Sequence, residues 1–196
     1  MPCEIPEIVW FKPTQTHIDN PAQHILTSVP EAKTAVSNLW YSAYGEKFEE
    51  RVMIVNWKSK ELQKSFMATP AYVSWGMPLI ELTSTAAVVG QYHLPPPSSD
   101  LVLSIFRSPL TEFLYFETEI FNDTIGEYMN VLQGIGSCVG CVWGECVEEW
   151  NPYKGVLIVG WNADAPVHNT QAERLYRYLV ANCAKRWSKK LSYIPI

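Results

Sequence analysis

Carboxylates placed between apolar side chains on strands are the residues of this sequence best suited to proton transfer. Glu46 and Glu145 occupy corresponding positions in two similar segments, and each alternates with apolar or aromatic neighbours. A carboxylate on an apolar face has a raised pKa and can act as a general acid or base. A solvated sheet edge or an ion pair explains the same pattern, and we favour that interpretation.

A second pair of carboxylates follows one strand face. Glu117 and Glu119 share a strand face with Phe113 and Tyr115. Two adjacent carboxylates repel unless one is neutral or a cation lies between them, so the pair is a candidate for proton transfer or metal contact. A solvated strand end accounts for it equally.

Among the four histidines, His93 is the best acid–base candidate, because it lies on an otherwise apolar predicted strand with Gln91 and Thr85. The histidines form no H-x-H or H-E-x-x-H pattern, so the sequence predicts no metal site. It also lacks a glycine-rich phosphate loop and a serine nucleophile elbow. We therefore expect no organic cofactor.

Cys138-Val139-Gly140-Cys141 is an isolated C-x-x-C motif. A zinc site needs a second ligand pair, which the sequence does not supply. We interpret both cysteines as buried structural residues. Five cysteines in a chain of 196 residues indicate reduced thiols and a cytoplasmic protein.

Composition excludes several classes of partner. The net charge is −5, and no basic run is long enough for a nucleic-acid footprint. No apolar stretch is long enough for a membrane span, and the N-terminus lacks the features of a signal peptide. The basic cluster Lys185–Lys190 is expected to end the last helix, where cations complement the helix dipole.

These residues lie in a chain that contains a degenerate copy of itself. Gly45-Glu46 and Glu49-Glu50, followed by the strand Val52–Trp57, recur as Gly144-Glu145 and Glu148-Glu149, followed by Val156–Trp161. Trp57 and Trp161 are 104 positions apart, about the length of one small domain. The linker Pro95-Pro96-Pro97-Ser98-Ser99 lies between the copies. We predict two halves, 1–97 and 98–196.

Each half is predicted to follow the order β-α-β-β-α-β. In the first half we expect strands at 7–11, 40–49, 51–57 and 83–94, and a helix from about 21 to 39. A second helix is expected to begin after the N-cap Ser59, with Leu62, Phe66 and Met67 on its apolar side. Pro70 and Pro78 are expected to break this second helical region into pieces. In the second half we expect strands at 112–120, 141–149, 156–162 and 191–196, with helices at 123–136 and 170–187.

This order predicts an α+β fold of two tandem ferredoxin-like halves. Each sheet carries both helices on one side and leaves an apolar face that must be buried. We expect the two sheets to stack on each other, so that one chain makes the barrel that two identical subunits would otherwise form. The protein would be a monomer acting as a pseudo-dimer, or a homodimer.

Two such halves, each with a hydrophobic strand ending in Asn56-Trp57 or Gly160-Trp161 before the second helix, resemble the dimeric α+β barrel superfamily. The likeness is to its antibiotic-biosynthesis-monooxygenase branch, with Phe66 and Tyr72 as further matching features. The resemblance implies a range of activities: cofactor-free oxygenases, haem-degrading enzymes, cyclases, isomerases and stress proteins. It also implies that Asn56 and Trp57 help to activate the substrate, an arrangement that Gly160 removes from the second copy.

The sequence is rich in aromatic residues, which suit a flat hydrophobic ligand. Candidate lining residues are Tyr44, Phe66, Tyr72, Tyr92 and Trp10, and candidate catalytic residues are His93, Asn56, Trp57 and Glu46. The favoured hypothesis is a cofactor-independent enzyme of secondary metabolism, a monooxygenase or a cyclase/isomerase, acting on a hydrophobic polyketide- or terpenoid-like intermediate. The alternatives are a non-catalytic ligand-binding or stress-response protein and a haem-binding protein with an axial histidine. We expect one working site, in the copy that carries Asn56.

Overall fold

The two copies are built on strand pairs with the same register. Strand β1 (Ile5–Phe11) pairs antiparallel with β3 (Arg51–Trp57), which places Ile5 opposite Trp57. Strand β5 (Leu110–Phe116) pairs antiparallel with β7 (Gly155–Trp161), which places Leu110 opposite Trp161. The sequence duplication is therefore also a duplication of backbone hydrogen bonding.

The structure is a computed structural model that describes residues 4–19, 31–41, 50–81, 88–94, 100–117, 125–162, 171–189 and 191–194. The chain forms two compact units, Met1–Val89 with Ser192–Ile196, and Gly90–Leu191. The linker at 95–99 lies outside the described residues. The division into halves at residue 97 stays a prediction.

In the first unit, strand β2 (Val36–Tyr41) pairs with β3, and β9 (Ser192–Ile194) pairs with β2. The first copy has the strand order β4-β1-β3-β2, where β4 is Val88–His93. The helical segments are α1 (Gln15–Asp19), a 3-10 helix (Glu31–Thr34), α2 (Lys60–Met67) and α3 (Pro70–Glu81).

In the second unit, β7 lies between β5 and β6 (Cys138–Cys146), and β5 also pairs with β8 (Lys185–Lys189). The order β8-β5-β7-β6 repeats the ferredoxin-like order of the first copy. The end of β4 pairs with β6, with Tyr92 opposite Cys146 and His93 opposite Glu145. The helices are α4 (Asp100–Phe106), α5 (Ile125–Gln133) and α6 (Gln171–Asn182).

Alternation along each strand divides the buried residues between the two faces of its sheet. In the first unit, Met53, Val55 and Trp57 share a core with Phe66 of α2 and Trp75 of α3. In the second unit, Leu157, Val159 and Trp161 share a core with Leu132 of α5 and Leu179 of α6. The intervening residues of β3 and β7 face away from these helices. The α+β fold class and the tandem ferredoxin-like halves are confirmed.

Several local predictions are confirmed as well. The strand Arg51–Trp57 has its predicted bounds, and every residue of it is buried. Ser59 is the N-cap of α2, where its side chain accepts a hydrogen bond from the backbone N–H of Leu62 at 3.2 Å.

Among the helices that the structure describes, none is long and apolar enough to cross a membrane.

Other predictions in the first copy are wrong. Residues 36–39 form a strand, although Ala32, Val36 and Leu39 are spaced as in a helix. Residues 21–30 of the predicted helix and most of the strand predicted at 40–49 lie outside the described residues. Leu62 and Met67 are 40% and 45% exposed, whereas Gln63 and Phe66 face the core. The predicted break at Pro70 is confirmed, because α2 ends at Met67 and Pro70 opens α3, whereas Pro78 does not break the region, because it lies within α3.

In the second copy, the last helix ends at Asn182 instead of continuing to Trp187. The prediction that the basic cluster ends the last helix is wrong, because Lys185–Lys189 is a strand that pairs with β5. The C-x-x-C motif lies within β6, which begins at Cys138 rather than at Cys141. The sequence analysis also missed helix α4, a segment of seven residues that buries Val102, Ile105 and Phe106.

Candidate active site

A half-buried carboxylate lies where β1 faces the helices of the first copy. Glu7 Oε2 accepts a hydrogen bond from Trp57 Nε1 at 2.6 Å and one from Gln63 Nε2 at 3.3 Å. Glu7 comes from β1, Trp57 from the end of β3 and Gln63 from α2. Three elements thus fix the orientation of one carboxyl group beneath the helices.

Four aromatic rings pack beside this carboxylate, and we call Trp57, Phe66, Tyr72 and Trp75 the aromatic cluster. Trp75 lies at the centre, with ring centroids 5.9 Å from Trp57, 5.9 Å from Phe66 and 6.1 Å from Tyr72. Phe66 meets Tyr72 edge-on at 5.8 Å. Such tilted and edge-to-face contacts are favourable geometries for aromatic pairs. Trp57, Phe66 and Trp75 are buried in the core of the first unit, and the half-buried Tyr72 packs against them.

The turn between α2 and α3 positions Tyr72 and Trp75. The Thr69 hydroxyl donates to the Phe66 carbonyl at 2.7 Å and accepts the backbone N–H of Tyr72 at 3.3 Å. Pro70 follows as the first residue of α3, where its missing N–H costs nothing. The first turn of α3 therefore begins directly against the end of α2.

Burial raises the pKa of the Tyr72 phenol above its usual range, and the negative charge of Glu7 adds to the effect. Tyr72 therefore keeps its proton at neutral pH and can donate a hydrogen bond. A carboxylate acceptor and a phenol donor are thus held beside one aromatic surface. This pairing suits removal of a proton from a substrate and stabilisation of the oxyanion that results.

Of the predicted site residues, Trp57, Phe66 and Tyr72 come together in the aromatic cluster. Asn56 lies on the other face of β3, because neighbouring strand residues point to opposite faces. Its amide Nδ2 donates to Ser37 Oγ at 2.7 Å. The side chain is fully buried, and its Oδ1 has no hydrogen-bond partner among the described residues. Asn56 and Trp57 therefore cannot line one side of the sheet together.

The remaining predicted residues lie elsewhere. Trp10 is buried on the face of β1 opposite Glu7, and Tyr92 is buried in the second unit, 5.9 Å from the ring of Tyr115. His93 is exposed on β4, opposite the equally exposed Glu145. Tyr44 and Glu46 lie outside the described residues.

The carboxylate pair predicted on the fifth strand is placed only in part. Glu117 is exposed just after β5, and Glu119 lies outside the described residues. The solvated interpretation is the correct one for Glu117.

The second copy contains the same carboxylate–indole pair in a different setting. Glu112 Oε2 accepts Trp161 Nε1 at 3.1 Å, as Glu7 accepts Trp57. Glu112 is only 1% exposed. It also accepts the Tyr176 hydroxyl at 2.6 Å and forms a salt bridge with Arg186 Nε. This carboxylate is enclosed by donors and neutralised, so we assign it a structural role.

Close backbone packing explains the difference between Asn56 and Gly160. A Cβ at Gly160 would lie 2.9 Å from the Cα of Ile105 and 3.1 Å from the Ile105 carbonyl oxygen. A Cβ at Gly140, the cross-strand partner of Gly160, would lie 2.8 Å from the Leu101 side chain. Helix α4 therefore covers the place where an asparagine would stand in the second copy.

Sequence reasoning missed Glu7, Gln63, Trp75 and the Glu112–Arg186 pair. A signal for two of them was present. Glu7-Ile8-Val9-Trp10-Phe11 and Glu112-Phe113-Leu114-Tyr115-Phe116 share the pattern glutamate, two apolar residues, an aromatic residue and phenylalanine. Each glutamate precedes the tryptophan that it binds by 50 or 49 residues. The repeat thus begins at the first strand of each copy.

Comparison with known proteins supports the fold. No protein-family model and no curated protein sequence matches the chain. Its structure is similar to that of a proposed monooxygenase from Fusobacterium nucleatum subsp. nucleatum (TM-score 0.65, 7% identity, covering 99% of this chain and 94% of that one). It is also similar to an anthrone oxidase-like protein (TM-score 0.65, 13% identity, 98% and 92% covered).

A mutant chlorite dismutase from Candidatus Nitrospira defluvii is a third similar structure (TM-score 0.57, 9% identity, 99% and 92% covered). At these identities the likeness shows the fold alone. The likeness therefore supports the α+β fold with two tandem ferredoxin-like copies.

A haem bound at the aromatic cluster would need an axial ligand from the residues there. Axial haem ligation needs a histidine, cysteine, methionine or tyrosine directed at the iron. His93 is the one histidine whose side chain the structure describes, and it is exposed and belongs to the second unit. Among the cluster residues and the side chains that bind Glu7, Tyr72 alone belongs to this set of ligands, and burial raises the pKa of its phenol, which disfavours the phenolate that would bind iron.

Proposed function

We propose that the protein is a cofactor-independent oxygenase that acts on a hydroxylated polycyclic aromatic substrate bound against the aromatic cluster of the first copy. The observation that carries the proposal is the half-buried Glu7 carboxylate, fixed by Trp57 and Gln63 beside four aromatic rings. The similarity to an anthrone oxidase-like protein supports this substrate class. A role in natural-product biosynthesis fits such a substrate.

The mechanism begins with proton transfer. Glu7 removes a proton from the activated methylene of the substrate, and the electron pair of that C–H bond passes into the ring system as an enolate. Tyr72, which keeps its proton, donates a hydrogen bond to the enolate oxygen. The aromatic cluster holds the planar anion and excludes water from it.

Dioxygen is the oxidant in the second step. The electron-rich carbon of the enolate is oxidised, dioxygen is reduced, and a C–O bond forms at the former methylene. Loss of water then gives the ketone, so that one methylene and one dioxygen yield one carbonyl group and one water. All electrons come from the substrate, and the reaction needs no nicotinamide or flavin.

Oxygen consumption by the purified protein with anthrone and hydroxyanthrones tests the proposal. We expect one dioxygen consumed per quinone formed, above the rate of the uncatalysed reaction and without added reductant. Glu7→Gln should lower turnover about a hundredfold or more, since general bases contribute that much. The matched control, Glu61→Gln on the exposed start of α2, should leave turnover unchanged.

Two results would overturn the oxygenase. Conversion of the substrate under argon would replace it with a cyclase or isomerase that uses the same base. Tight binding of anthrones without turnover, unaffected by Glu7→Gln, would leave a ligand-binding protein.

A further inference from the structure

The two cysteines of the C-x-x-C motif lie on the same face of β6. Residues three apart on a regular strand point to opposite faces. Here the register shifts between Cys138 and Gly140, so that Cys138 lies opposite Trp161 and Cys141 opposite Val159. Trp161 and Val159 share a face of β7, and the bulge therefore brings both thiols to the side of the sheet that carries α5 and α6.

The bulge also shortens the separation of the two cysteines along the sheet. Their partners Trp161 and Val159 are two residues apart on β7, which corresponds to roughly 6.6 Å between Cα atoms on a regular strand. Disulfides span Cα separations of about 4.4–6.8 Å. The Cys141 thiol is near enough to Cys138 to lower the pKa of that residue, and it also contacts the Met129 carbonyl at 3.6 Å.

The two cysteines differ in reactivity. The hydrogen bond from Cys141 lowers the pKa of Cys138, although partial burial acts against it. The same hydrogen bond and burial raise the pKa of Cys141. Cys138 is half-buried and Cys141 is fully buried. Cys138 is thus the thiol that reagents reach first and that ionises first.

The other described cysteines lack these properties. Burial raises the pKa of Cys146 to about 11 and raises that of Cys183. Cys146 Sγ contacts the carboxylate of Glu148 at 3.4 Å, and Cys183 Sγ donates to the Val180 carbonyl at 3.1 Å. Neither is paired with a second thiol in the part of the chain that the structure describes.

We propose that Cys138 and Cys141 form a reversible dithiol–disulfide couple that peroxides oxidise, with Cys138 as the attacking thiol and Cys141 as the resolving thiol. The Cys138 sulfur attacks a peroxide oxygen; an S–O bond forms, the O–O bond breaks, and water leaves. The Cys141 sulfur then attacks the Cys138 sulfur; the S–S bond forms, the S–O bond breaks, and a second water leaves. The two thiols are oxidised, and one hydrogen peroxide is reduced to two waters.

Hydrogen peroxide titration of the full-length protein, followed by counting free thiols and mapping the disulfide by peptide mass spectrometry, tests the proposal. We expect the loss of two thiols, one Cys138–Cys141 bond, recovery with dithiothreitol, and a change in the fluorescence of Trp161, which lies opposite Cys138. Cys183→Ser, the control, should behave as the parent protein does.

Cys141→Ala should stop the reaction at the sulfenic acid of Cys138, which a dimedone probe traps. If that variant does not fold, the mapped bond of the parent protein decides the matter alone. Survival of both thiols at peroxide concentrations that oxidise glutathione, or a disulfide joining any other pair, would overturn the proposal.

Discussion

At the scale of single residues, the same interaction has different consequences in the two copies. Glu7 and Glu112 each accept an indole N–H from the tryptophan that ends the third strand of the copy. Glu112 is enclosed by Tyr176 and Arg186, whereas Glu7 is half-buried beside the aromatic cluster. A buried carboxylate whose charge and hydrogen bonds are matched by neighbouring side chains stabilises the fold. A carboxylate that faces a bound ligand can accept a proton from that ligand.

Removal of the Tyr72 hydroxyl tests its role as a donor to the enolate. Tyr72→Phe should lower kcat about a hundredfold with little change in KM, because the hydrogen bond strengthens as negative charge develops on the substrate oxygen. Steady-state oxygen uptake measures both constants. Tyr178→Phe, a change at a half-exposed tyrosine of α6, is the control and should have no effect. An equal loss in both variants would contradict the assignment.

At the scale of elements, the sequence predicted those whose local signals agree. The run of β-branched residues in Arg51–Trp57 and the cap at Ser59 both predict the observed structure. The segment 36–39 was misassigned, because Val36 and Leu39 fit both a helical period and a strand interrupted by a bulge between Val36 and Asn38. Lys185–Lys189 was misassigned because pairing with β5, a long-range contact, overrides local propensity.

The candidate site was predictable only in part, for a reason of strand geometry. Trp57, Phe66 and Tyr72 could be identified from the sequence. Their carboxylate could not, because Glu7 is 50 residues from Trp57 and only the register of β1 on β3 brings the two together. Asn56 and Trp57 are adjacent in sequence, and that adjacency places them on opposite faces.

The contact of helix α4 with β7 gives a prediction about stability. Gly160→Ala should destabilise the protein by about 1–3 kcal/mol, because the new methyl group would overlap the backbone of Ile105. Urea unfolding followed by circular dichroism measures the change. Gly126→Ala is the matched control, since no atom lies within 4 Å of a Cβ built there. It lies in helix α5 and should raise stability by up to about 1 kcal/mol. Equal effects would rule out the close contact as the reason for glycine.

At the scale of the whole molecule, duplication allows the two copies to differ at corresponding positions. An assembly of two identical subunits must keep identical sites, because every substitution appears twice. In this chain the second copy encloses its equivalent carboxylate with Tyr176 and Arg186, and on the other face of β7 helix α4 covers Gly160. The first copy kept a carboxylate beside aromatic rings.

Burial of tyrosines gives a prediction about alkaline stability. Burial raises the pKa of Tyr72, Tyr92 and Tyr176 above the ordinary value of about 10. The unfolded chain releases these protons near pH 10, whereas the folded chain retains them. The free energy of unfolding should therefore hold below about pH 9 and fall as the pH rises beyond 10. Urea unfolding at several pH values measures the slope. Tyr92→Phe should make it shallower, Tyr178→Phe should not, and a flat profile in the parent protein would refute the prediction.

The central claim, that only the first copy works as a catalyst, is tested most directly by comparing Glu7→Gln with Glu112→Gln for turnover per folded molecule and for stability. We predict that Glu7→Gln loses turnover about a hundredfold or more and stays within about 1 kcal/mol of the parent stability. Glu112→Gln should keep its turnover and lose about 2 kcal/mol, because Arg186 loses its buried partner but is 44% exposed. Full turnover in Glu7→Gln, or a loss of turnover in the folded Glu112→Gln variant equal to that in Glu7→Gln, would contradict the account.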